Sequence, residues 1–261
     1  NWGYDPVNWN VPEGSYSSDP AHGEVRIREL KEAIQNLHKQ GFRIVMDVVY
    51  NHTYTLDSWL QKTVPWYYYR TDGEGKPSNG SACGNDVASE RPMCAAYILD
   101  SVLYWAEEYH MDGFRFDLMG LLDVDLMNRI RRALDEKYGQ GEKLIYGEPW
   151  AAAPTAIEGG AVQALKKNLK LLAPGIGIFC DDTRDILKGS VFQLKETGFV
   201  NGKEGLERKV LRCAAAWCGK AAEDEGEEEL RASAPSQILT YVSAHDNQTL
   251  WDKLSQTTPD E

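Results

Sequence analysis

The sequence predicts an α/β protein built of βα units on a parallel sheet, and three observations predict it. Five short runs of apolar and β-branched residues recur along the chain, at 42–49, 113–118, 143–149, 175–182 and 237–246. Stretches with helical spacing separate them, and that alternation is the pattern of βα crossovers. Polar residues collect at the C-terminal end of nearly every run: Asp47 to His52, Arg115 and Asp117, Glu148, Asp181 and Asp182, His245 and Asp246. This is the end at which a (β/α)8 TIM barrel builds its site. No Gly-rich phosphate loop follows any run, which weighs against a nucleotide-binding doubly wound sheet. Five strands do not close a barrel, so the expectation is a partial one.

The elements follow in order. Residues 1–20, rich in Gly, Pro, Asn and Ser, read as a long loop. Val25, Ile27, Leu30, Ile34 and Leu37 recur at helical spacing over 23–40, and Gly41 stops the helix. The run "FRIVMDVV" (42–49) is a buried strand. A long insertion at 50–92 carries the turn signals "TDGEG" and "KPSNGSACGND", and loops of this length are usually functional. A helix at 94–110, a strand at 113–118, a helix at 125–138 and a strand at 143–149 come next. A weaker helix is expected at 161–172, then a strand at 175–182, a helix at 204–218 and a strand at 237–246. The Glu-rich run 222–230 reads as a solvated face.

With 42% hydrophobic residues in 261, the chain has the composition of one large globular domain. Its net charge of -12, with no Lys/Arg cluster to reverse it locally, makes nucleic acid and anionic membranes poor partners. No apolar run approaches the roughly 20 residues of a membrane span. Eight Trp and thirteen Tyr supply flat faces with polar tips, suited to core packing and to sugar rings alike. The five Cys (83, 94, 180, 213, 218) form no CxxC pair, so neither a disulfide framework nor a zinc signature is legible.

The stretch "GFRFDLMG" (113–120) sets a puzzle, because Arg115 and Asp117 lie inside a core strand. Strand side chains alternate faces, so Phe114 and Phe116 pack under the helices while Arg115 and Asp117 share the other face. A plain buried ion pair is the rival reading. Three further strand ends outweigh it: "DVVYNHT" with Asp47, Asn51 and His52; "YGEPW" with Glu148; and "SAHDNQT" with His245 and Asp246. Such a set suits retaining glycoside hydrolysis, which needs an ionised and a protonated carboxyl roughly 5–5.5 Å apart. Asp117, beside Arg115, suits the ionised nucleophile. Glu148, with no cation next to it in sequence, suits the acid/base. Asp246 would steady the positive charge on the sugar, and His52 and His245 would donate hydrogen bonds to its hydroxyls.

In order and spacing, "DVVYNH", "GFRFDLMG", "YGEPW" and "YVSAHDN" resemble the four signature regions of the α-amylase superfamily of glycoside hydrolases. The opening "NWGYDPVNWNVPEGSYS" resembles the hallmark loop of type I pullulanases, as do "YYYRTDGEGKPSNGSACGND" and "HDNQTLWDKL". The resemblance covers nearly the whole chain and is weakest over 200–236. It implies a catalytic (β/α)8 barrel that cleaves α-1,6 branch linkages in pullulan, amylopectin or limit dextrins, with retention. By position, Asp117 matches the nucleophile, Glu148 the acid/base and Asp246 the transition-state stabiliser. Arg115, His52 and His245 match residues lining the sugar, and Asp47 and Asn51 positions shaping that pocket. Trp150 matches an acceptor-side aromatic, and Tyr4 and Asp5 fall in the hallmark loop at the groove. No cofactor is implied; calcium occurs in the family, and the sequence places no site for it. Set against the family, residues 1–261 hold barrel strands three to seven, without strands one, two and eight or the flanking β-domains. A fragment so bounded would have open edges at 42–49 and 237–246 and could be inactive alone.

Three rival readings are weaker. An α-amylase or isoamylase type is opposed by the "NWGYDP" loop. A non-catalytic glucan binder is expected to have lost a carboxylate, and none is lost. A metal-dependent hydrolase would want clustered His, and the five His (22, 38, 52, 110, 245) are scattered.

Overall fold

The computed structural model describes residues 2–219 and 230–258, in two compact units, Asn1–Ile176 and Gly177–Glu261. The first unit carries the helices α1 (Gly23–Lys39), α2 (Trp59–Thr63), α3 (Pro92–Glu108) and α4 (Val124–Tyr138), with strands β1 (Val45–Val48), β2 (Gly113–Phe116) and β3 (Leu144–Gly147). The second has β4 (Gly177–Phe179), α5 (Asp181–Lys188), α6 (Glu207–Ala214), β5 (Ile238–Leu239) and α7 (Leu250–Thr257). All five expected strands form, each shorter than its apolar run. The pairs β1–β2, β2–β3 and β4–β5 are parallel. The Glu-rich run lies, except for Leu230, outside the described residues.

Local chemistry explains the ends. Helix α1 stops where Gly41 takes φ +86°, with His38 and Lys39 in its last turn facing the carbonyl end of the dipole. Pro92 opens α3, and the Asp123 carboxylate caps α4 by accepting from Leu126 N at 2.9 Å. In the first unit Phe114 and Phe116 are wholly buried, as are Ile98 and Val102 of α3 and Leu126, Ile130 and Leu134 of α4. The alternation read from "GFRFD" therefore holds: the aromatic face of β2 joins the apolar core.

Three expected elements differ. Residues 161–172 give only a 3-10 turn at Lys166–Leu171. The backbone ahead of it is extended because Val124 N and Ala164 N bond Val162 O and Leu122 O, so 162–164 pair with 122–124 instead of coiling. Asp181 and Asp182 do not end a strand; they open α5, where carboxylates favour the N-terminal dipole. The short strand β5 also leaves His245 and Asp246 in a loop rather than at a strand tip.

Two anchors place loops. Trp9 stacks on Tyr97 of α3 at 5.5 Å and meets Tyr50 edge-on at 5.3 Å, while its carbonyl accepts from Trp105 Nε1 at 3.1 Å. These contacts pin the N-terminal loop. Within the 50–92 insertion, Arg70 is fully buried and donates to Glu90 through Nε and Nη2, the latter at 2.8 Å. A buried cation is tolerable only with its partner present, so Glu90→Ala is expected to cost about 3–5 kcal/mol. Urea unfolding of variant and parent measures it.

Candidate active site

Register builds the site. Asp47 of β1 pairs with Arg115 of β2, and Phe116 of β2 with Gly147 of β3. One residue further, Asp117 and Glu148 lie side by side at the strand ends, and their backbones continue the ladder. Asp117 N bonds Val48 O at 3.0 Å, and Glu148 N bonds Phe116 O at 3.1 Å. Neighbouring strands run about 4.8 Å apart, so this register alone sets two carboxyl-bearing residues next to each other.

The Arg115 guanidinium, nearly buried, is shared among three carboxylates. Its Nη1 donates to Asp47 Oδ1 at 2.7 Å and to Asp117 Oδ1 at 3.2 Å, and its Nη2 to Glu148 Oε1 at 2.5 Å. Burial opposes the charge, but Glu148 and Asp47 outweigh it and hold Arg115 more firmly protonated than usual. The other Glu148 oxygen accepts from Leu118 N at 2.8 Å. Leu118 reaches that pose at φ 40°, a left-handed conformation costly for a residue with a Cβ and one that aims its N–H at Glu148. Gly147 is required beside it: a Cβ there would stand 2.7 Å from Phe116 O and 2.8 Å from Met119 Cβ.

These contacts correct one step of the sequence reasoning. Proximity in sequence assigned the cation to Asp117 and none to Glu148. In space the shorter bond goes to Glu148. Burial raises the Asp117 carboxyl above the ordinary range, against the opposing pull of Asn51 and Arg115.

Asn51, fully buried, donates from Nδ2 to Asp117 O and Oδ2, both at 2.8 Å. Its Oδ1 therefore faces His52 Nδ1 at 2.6 Å, which places a proton on that ring nitrogen. Burial lowers the His52 pKa. In its neutral form the ring presents Nε2 as an acceptor, so the donor role expected there needs a second proton. Tyr4 closes the site from the pinned N-terminal loop. Its hydroxyl donates to Asp47 Oδ2 at 2.6 Å, and its ring lies 5.6 Å from the Arg115 guanidinium carbon. Burial and Asp47 push its phenol well above the usual range. Asp5 is exposed, and its charge acts on the His52 ring.

No family model matches the chain. Relatives do. It is 44% identical over 264 residues to a pullulanase of Bacillus subtilis, covering all of this chain and 35% of that protein. Identity to pullulanase 1, chloroplastic, of Arabidopsis thaliana is 37% over 309 residues, covering all of this chain and 32% of that one. Among solved structures, the pullulanase of Paenibacillus barengoltzii in complex with maltohexaose and α-cyclodextrin matches all of this chain and 39% of its own, with TM-score 0.89 and 46% identity. The type I pullulanase of Bacillus subtilis in complex with maltose matches all of this chain and 35% of its own, with TM-score 0.87 and 43% identity.

Over its full length the chain is similar to pullulanases.

It spans about a third of the length of the curated relatives it matches. Trp150 is half-buried and lines a cleft of about 400 Å³ with Ala151, Ala153, Pro154, Gln163 and Lys166. His245 and Asp246 belong to the second unit, where both are exposed and His245 Nε2 lies 3.7 Å from Asp246 Oδ1. Buried Lys188 steadies their loop, donating to Gln248 O at 2.5 Å. Tyr4, Asp47, Asn51, His52, Arg115, Asp117 and Glu148 are thus brought together in the first unit, with Trp150 two residues beyond Glu148. No group of three or more His, Cys, Asp or Glu able to hold a metal occurs among the described residues, and no helix among them is long and apolar enough to cross a membrane.

Sequence reasoning missed a polar hub in the 50–92 insertion: Arg70, Asn85 and Asp86, with Thr155 from the segment after Trp150. Only the length of the insertion hinted at it. It missed Leu118 N as well, since a backbone donor leaves no trace in side-chain identity.

Arg115→Met is expected to raise the Asp117 carboxyl further, because an opposite charge is lost at hydrogen-bond range. Carboxyl ¹³C NMR across a pH series measures the shift.

Proposed function

We propose that this chain carries the catalytic centre of a retaining glycoside hydrolase that cleaves α-1,6-glucosidic branch linkages in pullulan, amylopectin or limit dextrins. One observation carries the reading: Asp117 and Glu148 stand side by side at adjacent strand ends on one shared guanidinium, within a chain similar to pullulanases over its full length. The finer architecture proposed is a (β/α)8 barrel to which 1–261 contributes strands three to seven. The parallel βα order of each unit and the pullulanase neighbours support it.

In this reading Asp117 attacks the anomeric carbon and Glu148 protonates the departing glycosidic oxygen. Glu148 then takes a proton from the water that releases the glycosyl-enzyme. Three carboxylates facing one guanidinium leave the fully ionised set two charges negative. Burial raises the Asp117 carboxyl, while Asn51 and Arg115 pull it back toward the anion required for attack. Asp246 is assigned to stabilise the oxocarbenium-like charge and His245 to bind a sugar hydroxyl. Tyr4, Asp5, Asp47 and His52 would shape the pocket around the cleaved residue, and Trp150 would offer its face to the acceptor chain. Relatives solved with maltose and maltohexaose support an α-glucan as the ligand. The group set needs no cofactor, and no step passes through a metal.

Hydrolysis of pullulan but not of linear amylose by the full-length protein tests the reading; cleavage of amylose at equal rates would overturn it. Asp117→Asn should lower kcat by about 10⁴-fold or more with the fold intact by circular dichroism. Glu148→Gln should cost on the order of 10²–10⁴ with natural leaving groups and far less with activated aryl glycosides, which need no protonation. Asn51→Ala removes a donor that favours the Asp117 anion. The acid limb of kcat/KM, already above the ordinary Asp range through burial, should therefore move to higher pH.

A further inference from the structure

The hub in the 50–92 insertion touches two loops of the site from adjacent positions. Asn85 grips Thr53, the residue after His52, by both backbone groups: Thr53 N donates to Asn85 Oδ1 at 3.0 Å, and Asn85 Nδ2 donates to Thr53 O at 2.7 Å. The next residue, Asp86, is fully buried and receives four donors. Ser81 N reaches Oδ1 at 2.8 Å, while Gly80 N, Ser78 Oγ and Thr155 Oγ1 reach Oδ2 at 2.6, 2.7 and 2.7 Å. Thr155 lies five residues past Trp150. Its hydroxyl donates to the Asp86 anion and accepts from the Arg70 cation at 3.1 Å, so it is interposed between two buried opposite charges. Ala153 N to Gly80 O and Ala156 N to Ser78 Oγ, both 2.9 Å, extend the seam. Ala153 and Pro154 form one wall of the Trp150 cleft.

We propose that Asn85, Asp86 and Thr155 are positioning residues that hold the His52 loop and the 151–156 wall at a fixed separation, and so set the fit of the branch-accepting cleft. This rests on the debranching reading. A buried carboxylate held by four donors is rigid, because a shift would leave it underbonded at high cost. The burial penalty on Asp86 is more than offset by its donors, which keep it ionised. No space remains to slide: a Cβ on Gly80 would stand 2.8 Å from Thr155 Cβ. Glu148 is held separately, by Arg115 and Leu118 N. Loosening the wall should therefore damage binding and spare chemistry.

The test uses Thr155→Val, which keeps shape and removes the hydroxyl, and Thr155→Ser, which restores it. On pullulan with the full-length protein, Thr155→Val should raise KM about tenfold, the scale of one lost hydrogen bond to a charged group, and leave kcat within about twofold. Thr155→Ser should return KM to the parent value. Amide exchange is read in parallel. Ala153 and Ala156 should exchange about tenfold faster in Thr155→Val and in Asn85→Ala, and at the parent rate in Thr155→Ser. An unchanged KM, a loss in kcat alone, or no rescue by serine overturns the proposal. If the parent does not cleave pullulan, the debranching reading falls. The exchange rates then decide the positioning claim by themselves, and unchanged protection in Asn85→Ala ends it.

Discussion

The structure of the site depends on one cation. Arg115 is nearly sealed from solvent, and its two terminal nitrogens are divided among Asp47, Asp117 and Glu148, one from each of three neighbouring strands or strand ends. Without it the parallel register would press three carboxylates together, those of Asp117 and Glu148 largely buried, and repulsion would splay the strand tips. With it the carboxylates converge at tolerable cost. Lysine could not substitute on equal terms, because the planar fork of arginine reaches several oxygens at once from a fixed position.

That arrangement also gives the two strand-end carboxylates different surroundings. Asp117 meets two Asn51 donations and the longer Arg115 bond, while Glu148 meets the short Arg115 bond and the Leu118 amide. Both therefore have defined orientations before substrate arrives. The left-handed Leu118 is the local cost of aiming an N–H at Glu148, and the close packing at Gly147 and Gly120 shows how tightly the turn is confined. A Cβ on Gly120 would stand 2.5 Å from Trp150 O, so the turn after β2 packs directly on the Trp150 backbone.

Around this centre the protein uses buried polar groups as fasteners. Arg70 with Glu90 and Asp86 with its four donors organise the insertion, and Lys188 and Lys253 satisfy loop carbonyls in the second unit. Each is an expensive residue to bury and is retained with partners that leave little alternative geometry. Long loops framing a carbohydrate cleft have few apolar residues to pack, so specific polar bonds take over the task that a hydrophobic core performs elsewhere.

The sequence by itself determined the five strands, most helices and the charged residues set inside or beside apolar strands. Period-two and period-3.6 patterns are local, and charges inside an apolar strand announce themselves. It did not determine that 162–164 would pair with 122–124 rather than coil, nor that Asp181 and Asp182 would cap a helix, since a short segment's fate depends on which backbone it meets. Arg115 looked like the partner of Asp117, two residues away. Only the β2–β3 register revealed that Glu148, thirty-three positions on, receives its shorter bond. The buried hub at Asn85 and Asp86 read as part of a polar loop. Hydrogen-bond partners distant in sequence, and burial itself, are properties of the folded chain, and tertiary structure alone decides them.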